Sequence, residues 1–340
     1  MQQWYIRKLI QEKFTDEKNS FFIVALAIGF SLGILTQLPK RTETEITVCN
    51  NKYSFVSKQF GCLQKDTISK KEYSSLVTKL NAFLDANANS SENVTVSIYF
   101  RDLHQGPTFG INRDDRFIPA SLLKLPLLMG LYNLAENNPD LLHKRIQYQP
   151  VKTAVRQVLV EIPPLESGDY YSVEELVDRM IIYSDNESFN LLQVWISSEL
   201  PGNDIFVSTL TELGLSYPRN SVDSTFTAKS YASLFRQLYN SSYLSAAYSE
   251  KVLEILSRSV FKNGLAKDLP QNIKIAHKFG IRDGIANGVV ELHDCGIIYF
   301  PNNPYVLCVM TRGDNIEELE KIISTVSLMT YKEVDSRRFQ

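Results

Sequence analysis

Three short stretches carry side chains of the right type and spacing for amide chemistry. In "IPASLLKLPLL", Ser121 and Lys124 stand three apart. On a helix, positions i and i+3 share a face, so the Lys124 amine can reach the Ser121 hydroxyl. A neutral amine held there can take the proton of a serine otherwise too weak to attack an amide. The spacing is not selective by itself, because Ser259-Val260-Phe261-Lys262 repeats it. In "YSDNESFNLL", Ser184, Asp185 and Asn186 interrupt the end of the helical pattern "LVDRMIIY". These three types also favour caps and turns. In "AHKFG", Lys278 lies in a strand pattern just before Gly280, where the competing reading is an edge-strand lysine beside a glycine bulge.

The elements that must position these residues follow from periodicity. "KKEYSSLVTKLNAFLDANA" predicts a helix, with Leu76, Leu80 and Leu84 spaced by four. "VTVSIYFRDL" alternates and is β-branched, "HQGP" is a turn, and "TFGIN" and "DDRFI" resume extended chain, so a hairpin leads into Ser121. Helical patterns fill most of 121–262. From Ile273 the chain returns to strands in "IKIAHKFG", "GVVELHDCGIIYF" and "YVLCVMTR", and "NIEELEKIISTVSLM" predicts a closing amphipathic helix. Strands from both ends with helices between them predict one sheet built from distant segments, an α+β architecture.

Bulk properties narrow the function. The chain has 340 residues, and its 36 Lys+Arg against 38 Asp+Glu leave a formal charge of -2, without the basic footprint of a phosphate-backbone binder. Nucleic acid is not an expected partner. Its four histidines form no zinc spacing, and no cofactor motif appears, so neither metal nor cofactor is expected. The run from Phe21 to Leu38 carries no charge and is long enough for a short bilayer helix, which needs about 17–25 residues. The long segment before it favours an uncleaved anchor over a signal peptide. Arg7, Lys8, Lys13 and Lys18 precede it, with Lys40 and Arg41 after it, which places the N-terminus in the cytoplasm. The expected layout is a cytoplasmic 1–20, a transmembrane anchor 21–38, a stalk 39–68 and an extracytoplasmic domain 69–335. Cys49 and Cys62 could close a small loop, and Cys295 and Cys308 flank the turn signal "PNNP", where they could face one another across a hairpin; each pair could equally be unlinked.

Taken in order, S-x-x-K, S-D-N and K-x-G resemble the class A β-lactamases and the related penicillin-binding D,D-peptidases. The flanking phrases "FIPASLLKLPLL", "YYSVEELVDRMIIYSDNESFNLLQ", "LPQNIKIAHKFG" and "ELHDCGIIYF" extend the resemblance over about residues 70 to 330. It implies a β-lactamase-like αβα sandwich, with an antiparallel sheet from N- and C-terminal strands and an all-helical lobe. It also implies a serine hydrolase acylated at Ser121 by β-lactams or peptidoglycan stem peptides in a bacterial envelope. Lys124 would be the base, helped to stay neutral by Lys278 as a second cation, and Ser184 would relay protons to the leaving nitrogen. The backbone N–H groups of Ser121 and Ile281 would form the oxyanion hole. Asn186 would hold the substrate amide, and Lys278, beside Gly280, would attract the substrate carboxylate. Asp185 is assigned to the turn.

Two features depart from the family. Its K-x-G usually has threonine or serine in the middle, whose hydroxyl meets the carboxylate; Phe279 cannot do this, and Arg282 is the nearest substitute. The Ω-loop glutamate that activates the deacylating water is also missing. "GLSYPRNSVDSTFTA" holds one acid, Asp223, which resembles the loop's closing aspartate, and Glu166 precedes Ser184 in the wrong segment. Slow deacylation is therefore expected. The alternative is a non-catalytic or single-turnover sensor of β-lactams or peptidoglycan.

Overall fold

The apolar runs in the C-terminal third are strands buried on both faces. In the computed structural model, which describes residues 53–57, 73–88, 94–104, 108–150, 159–199, 204–215, 224–282 and 288–337, they form the middle and one edge of an antiparallel sheet. Strands β1 (Thr95–Asp102), β2 (Thr108–Ile111), β5 (Ile275–Arg282), β6 (Val290–Ile298) and β7 (Tyr305–Gly313) lie in the order β2-β1-β7-β6-β5. N-terminal and C-terminal strands thus share one sheet, as expected, and β5 is an edge.

Register fixes what each face carries, because side chains alternate along a strand. Lys278 pairs with Cys295, Gly280 with His293 and Arg282 with Glu291; Cys295 pairs in turn with Cys308 and Glu291 with Arg312. All of these residues lie on one face, together with buried Ala276, Ile297, Val306 and Met310 of the larger core cluster. The opposite face holds Phe279, Leu292, Leu307 and Val309 in a second cluster. Helices α1 (Ser74–Ala88) and α8 (Ile316–Ser336) cover that second face through Leu76, Leu80, Leu319, Ile322 and Ile323.

The first face is covered by a helical lobe. A 3₁₀ turn, Ala120–Leu123, runs directly into α2 (Lys124–Asn137), and the lobe continues through α3 (Val173–Ile182), α4 (Asn186–Glu199), α5 (Ile205–Glu212), α6 (Ala228–Tyr239) and α7 (Ala246–Ser257). Helix α2 is buried along most of its length, from Lys124 to Tyr132. Periodicity predicted helix here almost throughout. The structure adds a two-stranded ribbon, β3 (Arg145–Gln147) with β4 (Tyr170–Ser172), too short to leave a pattern. Ser172 then starts α3 with a capping box: its hydroxyl accepts the Glu175 N–H, while the Glu175 carboxylate accepts the Ser172 N–H. Such a cap contributes about 1 kcal/mol and fixes where α3 begins, and so where it delivers Ser184.

The hairpin cysteines are joined, Cys295 to Cys308, across β6 and β7. Residues 53–57, inside the stretch expected to be stalk, pack onto the domain. Glu250 accepts the backbone N–H groups of Ser54, of Phe55 at 2.6 Å and of Val56 at 2.9 Å, and the Phe55 ring meets Tyr299 edge-on. The run 21–38, Cys49, Cys62 and Asp223 lie outside the described residues. Among those described, no helix is long and apolar enough to cross a membrane.

Candidate active site

The three stretches, far apart in sequence, converge between the 3₁₀ turn, the α3–α4 junction and β5. Lys124 is the hub. Its Nζ lies 2.5 Å from the Ser184 carbonyl oxygen, 2.6 Å from Asn186 Oδ1, and 3.1 Å from both Ser121 Oγ and Ser184 Oγ. The Lys278 Nζ donates to Ser184 Oγ at 2.9 Å and to the Phe279 carbonyl at 2.7 Å. Ser184 Oγ therefore bridges the two amines.

Burial sets the protonation of this cluster. Lys124 is 2 % exposed. Burial pushes its ammonium from the ordinary 10.5 down to about 7, against the pull of the Asp185 carboxylate. Removal from water is the largest cause for both amines, and Lys278 is likewise held well below the ordinary lysine value by burial and by Lys124. A neutral amine has two N–H donors and one lone pair. The Ser184 carbonyl and Asn186 Oδ1 can only accept, so they take both donors. The lone pair is left for a hydroxyl proton, with Ser121 Oγ and Ser184 Oγ both 3.1 Å away.

The backbone around both serines is held in unusual conformations. Ala120, just before Ser121, has φ +48°, and Ser184 itself has φ +58°. For residues with a side chain this left-handed region costs about 1–3 kcal/mol each and persists only where the surroundings dictate it. Around Ser184 the surroundings are Asp185, which accepts the Glu187 N–H at 3.0 Å, the Ser188 hydroxyl at 2.7 Å and Arg179 Nε at 3.2 Å. That matches its expected role in the turn.

Around Ser121 the restraints come from β6 and β7. The Glu291 carboxylate accepts the Ile118 N–H at 2.7 Å, and His293 Nε2 lies 2.9 Å from the Ile118 carbonyl. His293 Nδ1 accepts the Thr311 N–H, so the ring proton sits on Nε2, where Ile118 takes it. Arg312 bonds both Glu291 and the Arg116 carbonyl. Phe117 exchanges two backbone bonds with Phe226, and the Tyr231 hydroxyl donates to the Leu122 carbonyl at 2.9 Å. Sequence reasoning passed over these residues. The available signal was Glu291 and His293, two titratable side chains two apart in a strand whose same face continues into buried Cys295 and Ile297.

Gly280 has a steric reason. A Cβ there would stand 2.8 Å from the Pro119 carbonyl and 3.1 Å from the Leu122 nitrogen, so only glycine lets β5 lie against the turn bearing Ser121. Ile281 follows directly on that strand. Asn186 is placed on Lys124. Arg282 ends β5, exposed, on the face that carries Lys278. Glu166 is exposed in the loop before β4. Phe279 alternates with Lys278 along β5 and lies on the opposite face of the sheet. Its ring is fully buried in the opposite core, stacked on Phe261 with centroids 4.4 Å apart.

Residues 75–334 match the model of the beta-lactamase enzyme family, and the chain belongs to that family, whose members are serine hydrolases acting on amide bonds. It is similar to the beta-lactamase VEB-1 of Pseudomonas aeruginosa, at 22% identity over 261 residues, covering 72% of this chain and 87% of that protein. Among solved structures it is similar to PBP-A, with a TM-score of 0.65 and 22% identity over 79% of this chain and 99% of that one. It is also similar to a PBP-A variant captured as an acyl-enzyme complex with penicillin G, with a TM-score of 0.64 and 23% identity over 76% and 97% of the two chains.

Proposed function

We propose that this protein is a membrane-anchored serine hydrolase that forms an acyl-enzyme at Ser121 with β-lactams or D-alanyl peptides and releases it slowly. The observation that carries the reading is the placement of Lys124. A buried amine, half-neutral near pH 7, spends its donors on two obligate acceptors and keeps its lone pair within reach of the Ser121 and Ser184 hydroxyls. In the reaction, the Ser121 Oγ bonds to the acyl carbon as its proton passes to Lys124. The N–H groups of Ser121 and Ile281 stabilise the oxyanion. As the scissile C–N bond breaks, the proton travels through Ser184 Oγ to the leaving nitrogen, which the 3.1 Å and 2.9 Å contacts of that hydroxyl with the two amines support. Asn186, already bonded to Lys124, faces the substrate amide.

Extracytoplasmic placement rests on the uncharged run 21–38, its flanking cations and the buried Cys295–Cys308 disulfide, which suits an oxidising compartment.

Slow release follows from the acids. In the described residues, no carboxylate is bonded to Ser121 or Lys124, and Glu166 faces solvent. Where no base serves the attacking water, deacylation loses ~10²- to 10⁴-fold. Stopped-flow and intact-mass measurements with a chromogenic cephalosporin should show a burst of one equivalent followed by a long-lived adduct. Sustained rapid hydrolysis without an accumulating adduct overturns the slow-release reading.

A further inference from the structure

Arg282 ends β5 exposed, on the face that carries Lys278 and Gly280, and its guanidinium makes no hydrogen bond or ion pair among the described residues. Register sets it beside Glu291, which is paired in turn with Arg312, so two guanidiniums flank one carboxylate. That carboxylate is already engaged. One oxygen accepts Arg312 Nε at 2.9 Å, and the other accepts the Ile118 N–H at 2.7 Å. Arg312 also bonds the Arg116 carbonyl and lies over the Phe117 ring, 4.9 Å from its centroid. Within this row Arg282 alone keeps its charge for a ligand.

Its place along β5 says which part of a substrate it meets. Gly280 brings the strand against the Pro119 carbonyl and the Leu122 nitrogen, and Arg282 stands two residues further on, about 7 Å along the strand. The leaving nitrogen lies towards Ser184 and Lys278, joined at 2.9 Å, because Ser184 Oγ hands it a proton. The carbonyl oxygen points at the N–H groups of Ser121 and Ile281. The acyl carbon's remaining substituent therefore leaves on the side away from the nitrogen, past Ile281 and towards the end of β5. We propose that Arg282 is a specificity-determining residue that favours acyl donors bearing a carboxylate on the acyl arm, the part of the substrate retained on Ser121. A guanidinium suits this task, since its planar fork takes a carboxylate through two N–H groups. The proposal rests on the reading of Ser121 as the acylated residue. It moves Arg282 from the role expected from sequence, a stand-in for the missing hydroxyl at position 279, to the opposite end of the donor.

Benzylpenicillin and carbenicillin test this, since they share a nucleus with its carboxylate and differ by one further carboxylate on the acyl arm. Second-order acylation rates are read by intact mass on the full chain. The quantity compared between variants is the ratio of the carbenicillin rate to the benzylpenicillin rate, in which the bulk of the added group cancels. Arg282→Gln should lower the ratio by about threefold to tenfold, the span between an exposed ion pair and a bidentate charge-assisted contact. Arg282→Glu should lower it further, and Arg282→Lys, which keeps the charge without the fork, should lower it less. Salt should shrink the wild-type ratio more than that of Arg282→Gln. A ratio that Arg282→Gln and Arg282→Glu both leave unchanged overturns the proposal. So does an equal fall in both rates, which would put Arg282 on the shared nucleus carboxylate. No adduct at Ser121 from either donor removes the acylation reading and this proposal with it, whereas adducts from both with a ratio indifferent to residue 282 remove only the proposal.

Discussion

The chain contains the pattern Ser-x-x-Lys at 121–124 and again at 259–262, and the two sites share almost nothing else. At the first, a 3₁₀ turn running into α2 puts the lysine Nζ 3.1 Å from the serine hydroxyl, and two acceptors from the α3–α4 junction complete its shell. At the second, α7 has already ended at Ser257, and the chain from 259 to 262 is not helical. Lys262 therefore turns to the Ser259 carbonyl at 2.8 Å, and the buried Ser259 hydroxyl has no hydrogen-bond partner among the described residues. Spacing makes a pair only where the backbone is helical, and a pair becomes a nucleophile and base only where distant segments supply burial and acceptors.

The largest expected effect breaks this comparison outright. Ser121→Ala should abolish the penicillin adduct, while Ser259→Ala should leave it intact. Peptide mapping of the labelled protein checks this, and label on Ser259 would invert the assignment. Next, Lys124→Ala should slow acylation by ~10²- to 10⁴-fold, the usual loss for a general base. Lys262→Ala, which loses one bond to a backbone carbonyl, should stay within about twofold, as expected away from the reacting groups. Equal losses in the two variants would mean that the first lysine is only structural.

The smallest effect concerns pH and sharpens the difference. The base must be unprotonated, and burial lowers Lys124 to about 7, so its active form grows as pH rises. Acylation should be half-maximal near pH 7, fall to about a tenth of its plateau one unit lower, and level off above. A pH–rate profile of adduct formation measures this. A rate still rising tenfold per unit between pH 8 and 10 would show a lysine with an ordinary affinity for protons.

Much of the fold was legible because the signals were local. The leucines of α1, the alternation of β1 and the doubly apolar runs of β6 and β7 each state their own period. The facing cysteines followed from a turn signal between two strands. The three-residue strands β3 and β4 were too short to leave a period. Glu291 and His293 left a signal in the sequence, but the partners of their clasp did not, because it joins residues more than 170 positions apart to a backbone carbonyl and amide, groups that every residue carries.

By itself the sequence determined which chemical groups exist, their order, and the periods of the elements that bear them, since these depend on covalent structure and on neighbours a few residues away. It also held the orientation of Phe279, because strand alternation puts adjacent residues on opposite faces. Tertiary structure alone decided the rest. It chose Ser121 over Ser259, lowered Lys124 towards neutrality, stacked Phe279 on Phe261 and set Lys278 against Ser184. The physical reason is that proton affinity and hydrogen-bond saturation depend on what excludes water and which acceptors come within 3 Å. For Lys124 and Lys278 those partners include Ser184, 60 and 94 residues away, brought close only when the lobe closes onto the sheet.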